Sequence, residues 1–188
     1  MLASKQKQLL RAGWIKSTLR QSLNFPVLSA SVTQHLTPFL QNHGARHASW
    51  NLGLYAPLPY EVDITNLSFS YSDQTSFPKV KGHHLFFYKT SLSQLVQGSY
   101  GILEPVEAPH AVMWSPNDIV LVPGIYFDEL GYRLGRGKGY YDRFFQIHPQ
   151  PLKIGVTVQA CVQSRLPSES WDVLMDYLCT EEGLKQTR

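Results

Sequence analysis

Between residues 131 and 143 the chain reads Gly-Tyr-Arg-Leu-Gly-Arg-Gly-Lys-Gly-Tyr-Tyr-Asp-Arg, a stretch in which glycines are interleaved with cations, phenols and a carboxylate. Gly135, Gly137 and Gly139 alternate with Arg136 and Lys138. Alternating glycines let a backbone come close to a ligand and expose successive amide hydrogens, and a helix starting just beyond offers its positive end to an anion. Arg133, Arg136 and Lys138 add full charges of the kind that neutralise a triphosphate. The familiar phosphate-binding templates do not fit. A P-loop needs glycine at 132 and Ser or Thr at 139, where this chain has Tyr132 and Gly139, and a dinucleotide fingerprint needs glycine at 140, where it has Tyr140. Asp142 follows directly. A carboxylate among cations and phosphate-binding groups suits magnesium, which takes one or two protein carboxylates plus phosphate oxygens; the same residue also suits a helix N-terminus for purely electrostatic reasons.

The flanking pattern says what must hold this loop. Ile119 to Val122 is a short apolar run closed by Pro123 and Gly124, which predicts a strand buried on both faces. A helix is predicted from Tyr140 through Ile147, and Ile154, Val156 and Val158 alternate as a strand. Towards the N-terminus, Ala12, Ile15, Leu19 and Leu23 recur at helical spacing and predict one amphipathic basic helix over about residues 3–23. Pro26 opens a second helical pattern through Leu28, Val32, Leu36 and Leu40, ending near Gly44. Ala48, Trp50, Leu52 and Leu54 then alternate as a strand, with further β-rich runs at Phe77–Val80 and Leu85–Tyr88 and an irregular loop across 98–118. Helices interleaved with short apolar strands predict a single three-layer α/β/α domain over 1–188, with a mostly parallel central sheet and the basic helix packed on it.

Composition narrows the possibilities. At 188 residues, 43% hydrophobic and 16% charged, the chain has the balance of one folded domain rather than a disordered or multidomain protein. No apolar stretch nears the roughly 20 residues of a membrane span. Lys5, Lys7, Arg11, Lys16 and Arg20 interrupt the segment where a signal peptide needs an apolar core. Cys161 and Cys179 stand alone, as two half-buried thiols without a disulfide framework or metal set. A reducing, cytoplasmic setting is therefore expected, and a monomer. The net charge of +3 is unevenly placed: residues 1–60 carry six cations and no carboxylate, a charge of +6, which leaves −3 for the remainder. The N-terminal part is expected to face something anionic, whether nucleic acid, a membrane surface or a polyphosphate.

The string from Val122 to Phe145, VPGIYFDELGYRLGRGKGYYDRFF, closely resembles the signature of the 5-formyltetrahydrofolate cyclo-ligase family. The likeness extends along the chain: Lys7-Gln-Leu-Leu-Arg11 is similar to that family's KxxLR, Glu61-Val-Asp63 to its EVD element, Gly101-Ile-Leu-Glu104-Pro105 to its GIxEP segment, and Asp172 with Asp176 to its paired aspartates. What the resemblance implies is a ligase of one-carbon metabolism that uses ATP as co-substrate and Mg2+ to convert 5-formyltetrahydrofolate into 5,10-methenyltetrahydrofolate, with neither nucleic acid nor membrane as partner. ATP phosphorylates the formyl oxygen, and the second folate nitrogen then closes the ring as phosphate departs. Such chemistry needs positioning and charge neutralisation more than a nucleophilic triad, and the chain offers cations, glycines and a carboxylate to match.

Carried over by position, the resemblance implies ATP contacts at Lys7, Arg11, Arg133, Leu134, Gly135, Arg136, Gly137, Lys138, Gly139, Tyr140 and Tyr141. It implies folate contacts at Ala56, Glu61, Tyr100, Arg136, Lys138 and Tyr140, with Glu61 on the polar pterin edge and Tyr100 or Tyr140 stacking on a ring. Asp142 and Asp172 match the magnesium ligands. Lys7 and Arg11, four apart, share a helix face, as joint contact with one triphosphate requires. Two departures affect the folate side: Tyr60 and Ile64 flank the EVD element where the family often has Gly and Thr, and the region around Phe77–Val80 matches only loosely.

Overall fold

The basic N-terminal segment forms two helices, α1 (Leu2–Lys16) and α2 (Thr18–Ser22), divided at Ser17, whose backbone is extended. The single helix expected over about 3–23 is thus interrupted. In a continuous helix Trp14 and Arg20, six residues apart, point about 120° away from each other; with the break, both engage the body of the protein. Trp14 is buried edge-on against Tyr126 at 5.6 Å between ring centroids, and the Arg20 guanidinium lies 4.3 Å over the ring of Tyr60. The expected apolar face is not the packed one. Ile15 and Leu19 are exposed, and the buried residues of α1 are Lys7 and Trp14.

Asn24 then caps α3 (Phe25–Arg46), its side chain accepting from the Val27 amide, and Pro26 occupies the first turn, where no amide donor is needed. Val32, Leu36 and Leu40 are fully buried along one side of this helix, which runs two residues beyond Gly44. The computed structural model describes residues 2–98, 101–106 and 110–187. Its remaining elements in chain order are β1 (Leu52–Gly53), α4 (Leu67–Ser70), β2 (Thr75–Lys81), β3 (His84–Lys89), β4 (Leu95–Gln97), β5 (Leu103–Pro105), β6 (Ile119–Pro123), β7 (Tyr126–Asp128), β8 (Arg133–Leu134), α5 (Tyr140–Ile147), β9 (Leu152–Val156), β10 (Val162–Gln163), β11 (Tyr177–Thr180) and β12 (Gly183–Gln186).

Seven strands form the central sheet in the order β12-β11-β9-β6-β1-β2-β3. The five inner strands are parallel, and an antiparallel strand closes each edge, β12 on β11 and β3 on β2. β7, β8 and β10 make a small second sheet, and β4 pairs with β5 in a hairpin. The alternation along β6 separates two cores: Ile119 and Leu121 pack with Val32, Leu36 and Leu40 of α3, whereas Val120 and Val122 pack with Phe144 and Phe145 of α5. The domain is therefore a three-layer α/β/α sandwich around a mostly parallel sheet. β1 lies between β2 on one side and β6 on the other, so the chain reverses its direction of winding there. In open α/β sheets the crevice beyond the carboxyl ends of strands at such a point is where ligands bind.

Among the described residues no helix is long and apolar enough to cross a membrane. The two cysteines are more enclosed than half-buried: Cys161 and Cys179 both lie in the α3-side core, and burial pushes each thiol up to about 12. The reactive thiolate is thereby suppressed at ordinary pH. The folded protein is expected to show no rapid reaction with a chromogenic thiol reagent at pH 8, and both thiols are expected to react once urea unfolds it; a fast-reacting thiol in the folded state would contradict this packing.

Candidate active site

At the reversal point a cavity of about 730 Å³ opens, floored by Tyr55 and Ala56 after β1 and by Pro123 and Gly124 at the end of β6. Its walls differ in character. Pro78 and Val80 of β2, Leu85 of β3 and Ile102 before β5 form an apolar side, whereas α1, the loop after β8 and the segment around Glu169–Asp172 bring charge.

The loop is anchored before it begins. Asp128 at the end of β7 is fully buried, and its carboxylate accepts from the amides of Leu130 at 3.1 Å, Tyr132 at 2.9 Å and Leu166 at 2.9 Å. Three amide donors compensate the buried charge, and together they set the turn that delivers Arg133. That side chain, almost fully enclosed, pairs with Asp142 at 3.0 Å and lies over the ring of Tyr141. Gly137 and Gly139 have φ of 91° and 64°, left-handed values that a side chain would disfavour, and Gly139 is the N-cap of α5. The loop thus turns directly into the helix, with Asp142 in its first turn.

The cations reach the site from distant parts of the chain and are matched one by one. Lys7 Nζ lies 3.0 Å from Glu169 Oε2 and 2.5 Å from Asp172 Oδ2. One turn further along α1, Arg11 Nε donates to the carbonyl of Gly135 at 2.8 Å. Burial, reinforced by the neighbouring charge of Arg133, lowers the pKa of the Arg11 guanidinium. Arg136 pairs with Glu61 Oε1 at 3.0 Å, while Glu61 Oε2 accepts from the Leu58 amide at 2.9 Å. Arg143 donates to the carbonyls of His83 and Lys138, 2.8 Å in each case. Burial raises the pKa of the Tyr141 phenol, partly opposed by Arg133, so its hydroxyl stays protonated and is available as a donor.

Lys7, Arg11, Arg133, Gly135, Arg136, Gly137, Lys138, Gly139, Tyr140, Tyr141, Asp142 and Asp172 all line this one cavity, together with Ala56 and Glu61. Leu134 does not: it is 1% exposed and bonded in register with Tyr126, so it holds the strand under the loop rather than facing the cavity. Tyr100 lies outside the described residues. Tyr60, standing where glycine is frequent in the resembling family, has φ of 67°. The stacked guanidinium of Arg20 and the edge contact of Phe25 hold it in that conformation. Glu169 was not found from the sequence, and Glu104 and the wall that includes Pro78 and Val80 entered it only through the GIxEP likeness and the loosely matching Phe77–Val80 region, without a role. Glu169 lies three residues before Asp172 with no recognisable spacing, and its partner Lys7 is 162 positions away.

Magnesium prefers oxygen ligands and keeps several waters. Asp142 and Asp172 supply carboxylates to the same cavity, each already facing a cation through Oδ2, so their donor chemistry fits such an ion at a phosphate group. Among the described residues there is no cluster of three or more His, Cys, Asp or Glu side chains that could hold a metal by themselves.

A sequence profile of the 5-formyltetrahydrofolate cyclo-ligase family matches residues 4–181. The chain is 30% identical over 159 residues to the 5-formyltetrahydrofolate cyclo-ligase of Haemophilus influenzae, covering 79% of this chain and 83% of that protein. It is 38% identical over 112 residues to the Saccharomyces cerevisiae cyclo-ligase, a match spanning 53% of this chain and 52% of the yeast protein, about half its length. Among solved structures it is similar to the 5,10-methenyltetrahydrofolate synthetase of Aquifex aeolicus, with TM-score 0.75, 34% identity and coverage of 100% of this chain and 94% of that one. With nearly all of its length matched in sequence and its fold matched throughout, the chain belongs to the 5-formyltetrahydrofolate cyclo-ligase family.

Proposed function

We propose that the cavity binds ATP and 5-formyltetrahydrofolate side by side and couples phosphoryl transfer from the one to ring closure of the other, yielding 5,10-methenyltetrahydrofolate, ADP and phosphate. The observation that carries this reading is the convergence of Lys7, Arg11, Arg133, Arg136, Lys138 and Arg143 on a single cavity whose opposite wall is apolar. An exposed basic stripe would suit nucleic acid. A recessed cluster with matched carboxylates suits a compact polyanion beside a flat heterocycle.

A formamide is a poor electrophile, because its nitrogen donates into the carbonyl and its oxygen leaves badly. Transfer of the γ-phosphoryl group to the formyl oxygen turns that oxygen into a leaving group; the second folate nitrogen attacks the carbon and gives up its proton to water, and phosphate departs with the former formyl oxygen. The residues assist by placement and charge. Lys7 and Arg11 from α1 and Arg133, Arg136 and Lys138 from the loop offset the triphosphate, and the backbone from Gly135 to Gly139 approaches it closely. Their present carboxylate and carbonyl partners are exchanged for phosphate oxygens. The protonated Tyr141 hydroxyl donates to an oxygen and takes no proton. Asp142 and Asp172 would hold magnesium, which would spread the phosphate charge. Ala56, Tyr140 and the apolar wall of Pro78, Val80 and Leu85 enclose the folate.

Pure protein mixed with 5-formyltetrahydrofolate, ATP and magnesium is expected to produce methenyl absorbance only when ATP is present; no product at micromolar enzyme would overturn the reading. Asp142→Ala is expected to lower kcat by about 100-fold or more, the scale of losing one transition-state electrostatic contact, while circular dichroism stays native. If the variant unfolds instead, Asp142 serves the helix and the ion pair alone. Lys7→Met strands two largely enclosed carboxylates, and such a loss costs about 3 kcal/mol. Urea titration should register that loss, and the KM for ATP should rise about tenfold, of the order of a lost charge-assisted contact. Unchanged stability and unchanged ATP kinetics would leave α1 a solvated helix.

A further inference from the structure

One polar side chain in the cavity takes no part in the ion-pair web. Glu104 of β5 is 4% exposed, lines the cavity, and makes no hydrogen bond or ion pair among the described residues. Its neighbours on that wall are apolar. β5 lies against β2, where Lys79 Nζ reaches the carbonyl of Pro105 at 2.8 Å, and Pro78, Val80 and Ile102 line the same cavity. Leu103 faces outward and Glu104 inward, as strand alternation requires. The carboxylate lies so close over Gly98 that a Cβ there would collide with Oε2. Gly98 itself is fixed by donating its amide to the carbonyl of Ile102 at 2.8 Å. A buried carboxylate without donors is costly, and a site retains one where a ligand brings the donors.

We propose that Glu104 is the specificity residue for the pterin, accepting two parallel hydrogen bonds from the N3–H and the 2-amino group of its pyrimidine edge. This rests on the folate reading above. The shape of the ligand decides among the alternatives. A carboxylate has two acceptor oxygens and matches two adjacent N–H groups, which the pterin edge presents. Adenine offers one amino group next to an acceptor nitrogen, and the glutamate tail and triphosphate are anions that a second anion repels. Glu61, the residue assigned to the pterin edge from the sequence, is already occupied on both oxygens by Arg136 and the Leu58 amide. Arg136 leaves Glu61 when it turns to phosphate, but the Leu58 amide still holds one Glu61 oxygen, so Glu104 is the carboxylate with both oxygens open to a ligand among the described residues. The apolar wall around it strengthens those hydrogen bonds by excluding water.

The test uses the intact protein and separates this inference from the activity on which it rests. Wild-type protein is titrated with 5-formyltetrahydrofolate and with its 2-desamino analogue, by calorimetry without ATP, beside Glu104→Gln and Glu104→Ala; turnover is measured in parallel. Wild type should bind the analogue about 10- to 100-fold more weakly than the natural ligand, as expected for losing a charge-assisted hydrogen bond. Both variants should bind the natural ligand about 10- to 100-fold more weakly and discriminate little between the two, with the KM for ATP within about twofold of wild type. Gly98→Ala, which displaces the carboxylate without removing it, should reproduce the folate effect in weaker form. If Glu104→Ala fails to fold, the isosteric Glu104→Gln carries the comparison. Wild type that neither binds nor converts the folate would defeat the functional reading. Wild type that does both, with variants that keep full affinity and discrimination or lose ATP affinity instead, would defeat the assignment of Glu104 alone.

Discussion

Mutual repulsion among the cations of one cavity is the constraint around which the rest of the structure is arranged. Lys7, Arg11, Arg133, Arg136 and Arg143 approach one another where water is partly excluded, and like charges there repel strongly. Each is met by an acceptor from elsewhere in the chain: Lys7 by Glu169 and Asp172, Arg133 by Asp142, Arg136 by Glu61, Arg11 by the Gly135 carbonyl, Arg143 by the carbonyls of His83 and Lys138. The contacts stitch α1, the segment after β1, the loop after β8, α5 and the segment before β11 into one surface. Apart from the docked Trp14, α1 is held by its charges rather than by its aliphatic side chains, which explains why Ile15 and Leu9 remain in solvent. A polyphosphate entering such a site exchanges one set of negative partners for another, so the cations are available without ever having been left bare.

The fold provides the place where this can happen. Two cores, one on each face of the sheet, immobilise β1 and β6, and the reversal of winding between them leaves a crevice that α1 and the start of α5 line from the side. Asp128 then converts a rigid strand end into a defined loop by taking three amide hydrogens on one buried carboxylate. The edge hairpin of β2 and β3, with β5 beside it, closes the other side with apolar residues. Charge on one side and hydrocarbon on the other suit a triphosphate and a heterocycle held together, and Glu104 is the one carboxylate that the apolar side encloses among the described residues.

Several elements were legible directly. The β6 run and the helix from Tyr140 rest on local composition and stand where periodicity placed them, while β9 covers Ile154 and Val156 but ends before Val158, which caps the following turn. The grouping of Lys7 and Arg11 followed from helical spacing, and both point into the cavity. Reading the aliphatic stripe of the N-terminal segment as its packed face was misleading, because Lys7 and Trp14 outcompete it once Glu169, Asp172 and Tyr126 are in reach. Leu134 sat inside a run of expected ligand contacts, yet strand pairing turned it into the interior. Tyr60 carries a conformation suited to glycine, and nothing in its own neighbourhood of sequence announces the Arg20 and Phe25 that secure it.

The sequence by itself determined the chemical inventory: which segments become strands and helices, where the glycines free the backbone, and that the cations gather in two short stretches. These are properties of residues within a few positions of one another, where hydrophobic period, turn chemistry and charge act locally. Tertiary structure alone decided which carboxylate meets which cation and which carboxylate is enclosed on the apolar side of the cavity. Lys7 finds Asp172 across 165 residues, Arg136 finds Glu61 across 75, and Glu104 is enclosed with no hydrogen-bonding partner among the described residues. Such pairings depend on the order of strands in the sheet and on the exclusion of water from a cavity, and neither quantity is written in any local stretch of the chain.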